Sequence, residues 1–155
     1  MDTVLARGLT FEGKNVAVIG GGMNACEVAE YCALNGSRVT QVVRRDVLAH
    51  DVDPDCLVPV KEHLTAAGGM LLVNHKPLAL ENGELLTEDT KDGSKLAIPA
   101  DIVVLSVGST PNDGLYQALT GKLERVIPLG DSIKVGRVAD AVRTGFEKSY
   151  ILDAK

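Results

Sequence analysis

The apolar positions of this chain change their spacing several times, and each change marks an element. Val16, Ala17, Val18 and Ile19 are consecutive, so Asn15 to Ile19 reads as a short strand buried on both faces. From Asn24 to Asn35 the spacing is helical. Ala25, Val28, Ala29, Cys32 and Ala33 recur at i, i+3, i+4, i+7 and i+8 as one buried face, with Glu27, Glu30 and Tyr31 turned elsewhere. Gly36 stands where a left-handed residue ends a helix. Val39 to Val43 is a second buried strand. Asp53 offers an N-cap and Pro54 a first helical residue, so a second helix is predicted to run to Ala67, where Gly68-Gly69 stops it. Met70 to Asn74 follows as a third strand.

The pattern changes at Lys76. Leu78 to Leu80, Leu85 to Glu88 and Lys95 to Ile98 are short β-type runs separated by Glu81-Asn82-Gly83 and Lys91-Asp92-Gly93-Ser94, which predicts a small antiparallel meander. Ile102 to Val107 returns to the all-apolar style of a buried parallel strand. Beyond Gly108 a loop reaches Gly114. Leu115 to Leu119 makes one or two helical turns, Arg125 to Leu129 reads as a strand, and Val138 to Lys148 as a helix. Met1 to Lys14 shows no period and is interrupted by Gly8 and Gly13, so residues 1–13 read as a lead-in arm. Strands alternating with helices imply an α/β fold: a Rossmann-like parallel sheet with helices, plus the meander as a crossover.

Composition narrows the classes of function. The chain has 155 residues, room for one domain of ordinary size. A net charge of −5 gives no footprint for nucleic acid, and 3% aromatics with no Trp leaves few stacking surfaces. No apolar run approaches the roughly 20 residues that span a bilayer, and Met1 to Gly13 lacks the apolar centre of a signal peptide. Cys26, Cys32 and Cys56 form no CxxC and no metal-type spacing, which fits reduced thiols and a cytoplasmic location.

The chemistry concentrates at Gly20-Gly21-Gly22-Met23-Asn24-Ala25, a glycine turn that follows a strand and opens a helix. In a dinucleotide-binding unit Gly20 permits the tight turn and Gly22 admits a pyrophosphate close to the backbone. Ala25 lets helix and strand pack closely, and the helix start at Asn24 offers free N–H groups. A glycine turn that merely packs tightly is the plain alternative. Sites for NAD place a carboxylate near the end of the second strand to accept from the ribose 2′-hydroxyl. Here that position is Val43, followed by Arg44 and Arg45. Two guanidiniums suit a 2′-phosphate, which favours NADP(H) over NAD(H). Solvated arginines partnered by Asp46 are the alternative. His50, His63 and His75 are scattered, and no nucleophile or proton-transfer constellation stands out, so no catalytic residue is assigned. Any chemistry is expected to come from a cofactor.

Three separated motifs carry a resemblance. The first is the glycine turn with Glu27 two residues beyond it, matching GxGxx(G/A)xE. The second is Asp101 to Asn112, a strand ending in VGSTPN. The third is Ile127-Pro128-Leu129-Gly130-Asp131 followed by the helix of Arg137 to Val142. Together they resemble the NAD(P)H-binding domain of FAD-dependent pyridine-nucleotide (disulfide) oxidoreductases over about Leu9 to Leu152. Within that superfamily the chain looks most similar to the C-terminal region of the 2,4-dienoyl-CoA reductase and 2-enoate reductase branch, multidomain relatives of old yellow enzyme.

The resemblance implies that residues 14–112 bind NAD(P)H and that residues 113–155 correspond to the second half of a split FAD-binding domain. Gly108 would flank the nicotinamide side, and Glu27 would orient the nicotinamide end or pair with a basic residue of the missing half. Asp131 would contact the ribityl region of a flavin. Family members carry an earlier FAD-binding half with its own glycine turn. This sequence shows none ahead of Gly20, so the chain is expected to be a domain-sized fragment of a larger flavoprotein that holds no FAD alone. In the intact parent, hydride would pass from nicotinamide to flavin. Electrons would go on through an iron–sulfur cluster to an upstream FMN-containing barrel acting on an activated C=C bond. The segment after Asn112 lacks its native neighbours and is open to self-association, a homodimer included. The rival reading is a non-catalytic dinucleotide-binding or structural module; a methyltransferase-type domain is a distant third.

Overall fold

The computed structural model describes residues 3–49 and 54–150. His50 and the expected N-cap Asp53 lie outside them. Two compact units follow one another along the chain, Met1–Gly108 and Ser109–Lys155.

The first unit is built on a parallel sheet of β1 (Asn15–Ile19), β2 (Arg38–Val43), β3 (Met70–Val73) and β7 (Ile102–Leu105), in the order β3-β2-β1-β7. Alternation along β1 assigns its two faces. Val16 and Val18 pack against Ala25, Val28, Ala29 and Cys32 of helix α2 (Met23–Leu34) and Leu64 of helix α3 (Pro54–Ala66). Ala17 and Ile19 pack the other way, with Val42, against Leu85, Ile98 and Ala100. Those last residues belong to or follow the antiparallel sheet of β4 (His75–Glu81), β5 (Glu84–Asp89) and β6 (Lys95–Pro99). The meander therefore covers the face that helices leave open. Its first hairpin turns at Asn82 and Gly83, both left-handed (φ +51° and +79°), as a type I′ turn requires.

The helix α2 stripe read from spacing is buried at every one of its five positions. The helix ends in a Schellman motif: Gly36 N–H donates to Ala33 O at 3.0 Å and Ser37 N–H to Cys32 O at 3.1 Å, with Gly36 left-handed at φ +81°. At the N-terminal ends of the strands Asn15 N–H and Nδ2 donate to one Asp101 carboxylate oxygen, at 2.8 and 3.0 Å, and Arg38 Nε donates to Asn15 Oδ1 at 2.8 Å. That clamp fixes the register at which β1 lies between β2 and β7.

Three expectations are corrected. The lead-in arm contains a helix, α1 (Thr3–Arg7), whose Val4 is buried in the core with α2. One short turn presents too few apolar residues to show a period. Strand β7 stops at Leu105 rather than Val107, because β1 ends at Ile19, whose carbonyl takes Ser106 N–H at 2.8 Å, and the next residue of β1 turns away. Arg125 to Leu129 forms no strand. Among its described residues the second unit holds α4 (Gly114–Leu119), a 3₁₀ turn at Gly130–Ser132 and α5 (Val138–Tyr150), with only an isolated bridge between Thr120 and Leu123, so no described strand is there for Arg125 to Leu129 to pair with.

Candidate functional site

The sheet order reverses at β1, with β2 on one side and β7 on the other, and the glycine turn leaves the C-terminal end of that strand. In open α/β sheets this is where ligands bind. The three glycines have different reasons to be glycine. Gly20 takes φ +146°, and a Cβ there would lie 2.2 Å from Ser106 O. A Cβ on Gly21 would lie 2.5 Å from Val43 Cγ1. These two are demanded by the fold. At Gly22 a Cβ would meet nothing within 4 Å, and its φ of −81° suits any residue. The fold does not require glycine there; it leaves open space above the backbone.

That open space lies at the N-terminus of α2. Gly22 is the N-cap, so no side chain caps the helix, and its first turn carries no acidic residue. Free N–H groups and the positive end of the helix dipole together favour an anion. Ala25 is fully buried behind the turn, Met23 is half-buried against Cys26 and Val43, and Asn24 and Glu27 are exposed on the rim. Burial pushes the Cys26 thiol pKa up, so it stays protonated beneath the site.

At the end of β2, Val43 is buried and closed over by Gly21. No carboxylate occupies the strand end, and the first exposed side chains beyond it are Arg44 and Arg45. The backbone there is tied down. Arg45 O accepts Asn74 N–H at 3.0 Å, and Ala49 N–H donates back to Gly21 O at 2.6 Å, which brings the segment after β2 against the glycine turn. Ala49 makes that return in a left-handed conformation, φ +36°. Gly108, at φ +116° and exposed, follows the end of β7.

The structure thus brings together Gly20 to Ala25, Glu27, Arg44 and Arg45 around one end of β1 and β2. Asp131 belongs to the second unit, in the 3₁₀ turn, where its Oδ1 accepts Gly136 N–H at 3.1 Å. His63 Nδ1 meets Glu30 between α3 and α2, and His75 Nδ1–H donates to Val73 O at 2.8 Å. Cys26 and Cys32 are buried and Cys56 exposed. One buried residue beside the turn escaped the sequence reading. Gln41 is completely buried in β2, and its Nε2 donates to Gly20 O at 3.0 Å. The signal was present: a glutamine in the middle of an apolar strand.

Residues 2–135 match the profile of the pyridine nucleotide-disulphide oxidoreductase family. The chain belongs to that family. It is 31% identical over 157 residues to an NADH oxidase of Thermoanaerobacter brockii, covering 95% of this chain and 23% of that protein. It is 31% identical over 136 residues to a bilirubin reductase of Mediterraneibacter gnavus, covering 88% and 20%. Among solved structures, 97% of the chain superposes on 25% of histamine dehydrogenase from Rhizobium sp. 4-9, with a TM-score of 0.85 at 21% identity. A 6-hydroxypseudooxynicotine amine oxidase of Pseudomonas geniculata gives 0.87 at 25% identity, over 97% of this chain and 24% of that one. The chain therefore spans less than a quarter of the length of these curated relatives. Members of this family that match it are oxidoreductases, and the Rossmann-like sheet with its antiparallel meander is the architecture they share. No helix among the described residues is long and apolar enough to cross a membrane.

Proposed function

We propose that this chain is the nicotinamide-dinucleotide-binding domain of a flavin-dependent oxidoreductase, with residues 14–112 forming the nucleotide site. The observation that carries the reading is Gly22: open space over an uncapped helix N-terminus, at a position where the fold itself has no need of glycine. A pyrophosphate lying over Gly20 to Ala25 would accept from those N–H groups. Arg44 and Arg45 hold the adenosine end. With Val43 buried and no carboxylate on the strand end itself, the two cations that follow favour a 2′-phosphate, hence NADP(H) over NAD(H). Gly108 leaves room at the nicotinamide side, and Glu27 lies one helical turn into the site. When bound, the dinucleotide supplies hydride for the flavin of the intact protein.

Residues 113–155 are read as the second half of a split FAD-binding domain. Among the described residues from Ser109 onward none is buried, and Leu115, Val138, Val142 and Phe146 stand exposed, as expected of a half whose complement is elsewhere. Asp131, whose Oδ1 accepts Gly136 N–H, is the residue that would accept from a flavin's ribityl hydroxyl. By itself this chain holds no FAD and does not turn over. We read the chain as cytoplasmic, a compartment that keeps buried thiols such as Cys26 reduced.

Separate titrations of NADPH and NADH by calorimetry test the reading. Binding of both, NADPH tighter, is expected. Binding of neither overturns the nucleotide site, and tighter NADH overturns the role given to Arg44 and Arg45. Stoichiometric flavin on the purified chain would overturn the split-domain reading.

A further inference from the structure

We propose that Gln41 is a positioning residue of the nucleotide site, aiming the Gly21 N–H toward the ligand by holding the carbonyl of the same peptide unit. The inference rests on the nucleotide site just described. Gln41 is one of the largest fully buried side chains in the protein, and its Nε2 donates to Gly20 O at 3.0 Å and reaches Cys26 Sγ at 3.5 Å. Its amide can face the turn only this way round, since its own oxygen would repel the Gly20 carbonyl.

The peptide joining Gly20 to Gly21 is flanked by the two residues least able to hold it. Neither has a Cβ, so rotation of that plane meets little resistance from the chain itself. The units on either side are anchored by backbone: Gly20 N–H to Val42 O at 3.0 Å, and Gly21 O to Ala49 N–H at 2.6 Å. Among the described residues the plane between them has a single anchor, the Gln41 side chain. A trans peptide is rigid, with its C=O and N–H pointing opposite ways. Drawing Gly20 O inward to buried Gln41 therefore turns the Gly21 N–H outward, and that N–H has no acceptor among the described residues.

A glutamine is an expensive way merely to fill this place. Its Oε1 is buried with no hydrogen-bond partner, a cost that a leucine of similar volume would not incur. The polar end is explained by the carbonyl it holds. The Cys26 thiol beside it is kept protonated by burial, and Lys61 and Glu27 are the charged groups near enough to act on that thiol.

The test compares three variants of the whole chain. Gln41→Leu removes the donor. Gln41→Glu supplies a donor only while protonated, and burial raises that carboxyl's pKa. Leu64→Ala, in α3, serves as a control that destabilises the core without touching the turn. NADPH affinity is measured by calorimetry between about pH 5 and about pH 9, as a ratio to the wild type at each pH. Gln41→Leu should bind about tenfold more weakly at every pH, Gln41→Glu near wild type at the acid end and about tenfold more weakly at the alkaline end, and Leu64→Ala like the wild type. The residual dipolar coupling of the Gly21 N–H in the free protein should change in Gln41→Leu while those of β1 do not. Gln41→Leu binding like Leu64→Ala, or a pH-independent ratio for Gln41→Glu, overturns the proposal. If Gln41→Glu does not fold, Gln41→Leu and the Gly21 coupling decide. If the wild type binds no dinucleotide, the nucleotide site itself fails, and the coupling still reports whether Gln41 orients the peptide.

Discussion

Gly20 and Gly22 stand two residues apart in the same turn and answer to different constraints. A side chain at Gly20 meets Ser106 O and must take φ +146°, so Gly20→Ala should destabilise the chain by more than about 2 kcal/mol in urea unfolding. Gly22→Ala adds a methyl to open space and should leave stability within about 0.5 kcal/mol. The same methyl occupies ground that a pyrophosphate needs, so NADPH affinity should fall at least about tenfold by calorimetry. Equal effects of the two substitutions on stability would show that the fold needs both glycines. Arg44, exposed just past buried Val43, makes the complementary case for selectivity. Arg44→Ala should reduce the preference for NADPH over NADH by about tenfold, the worth of one charge-assisted contact to phosphate. An unchanged preference would return Arg44 to the role of a solvated surface residue.

Among elements, the long periodic ones were legible beforehand and the marginal ones were not. Helix α2 needed only its spacing, because five small apolar residues on one face have one place to go. The hairpin at Asn82-Gly83 was legible because two consecutive left-handed residues are a local requirement that Asn-Gly meets. Helix α1 was not, since its burial depends on Val4, with Leu5 half-buried beside it, finding a place in the core with α2. The Arg125 to Leu129 strand failed for the converse reason: β-type residues make a strand only where another strand accepts their hydrogen bonds. The helix layer should respond to truncation at Leu64, which is buried against the face of β1 that α2 also covers. Leu64→Ala should cost about 2–5 kcal/mol, read from the urea midpoint at constant m.

The clamp at the other end of the sheet gives stability an acid dependence. The backbone N–H of Asn15, with Lys14 and Arg38 nearby, holds the Asp101 carboxyl below the usual range. A depressed folded pKa contributes stability that is complete above the unfolded value, about 3.9, and is lost as the pH falls through the folded one. Asp101→Asn should therefore flatten the acid limb of the unfolding midpoint between about pH 5 and about pH 2. Parallel limbs for the two proteins would show that Asp101 takes no part in the acid response.

At the scale of the molecule, the two units differ in kind. Met1–Gly108 encloses a sheet covered on both faces, whereas Ser109–Lys155 buries no described residue. Along α5, Val138, Val142, Phe146 and Tyr150 recur every four residues on one exposed ridge, and the last two rings stack at 6.0 Å. Phe146→Ser should leave the chain's unfolding free energy within about 0.5 kcal/mol, because little apolar area is withdrawn from water there. A larger loss, measured by urea unfolding, would mean that this ridge is covered in solution.

What the sequence determined by itself was local or repetitive: apolar periods, a glycine turn in its strand–helix setting, hairpin residues and the pair of arginines after β2. Each follows from constraints among neighbours a few positions apart. Tertiary structure alone decided which glycines the fold requires and which it leaves over open space, since that turns on Ser106 and Val43 arriving from other parts of the chain. It also decided that Gln41 faces inward onto the Gly20 carbonyl, across 21 positions of sequence. A side chain's periodicity tells which face it is on, and only the packed neighbour tells what it touches.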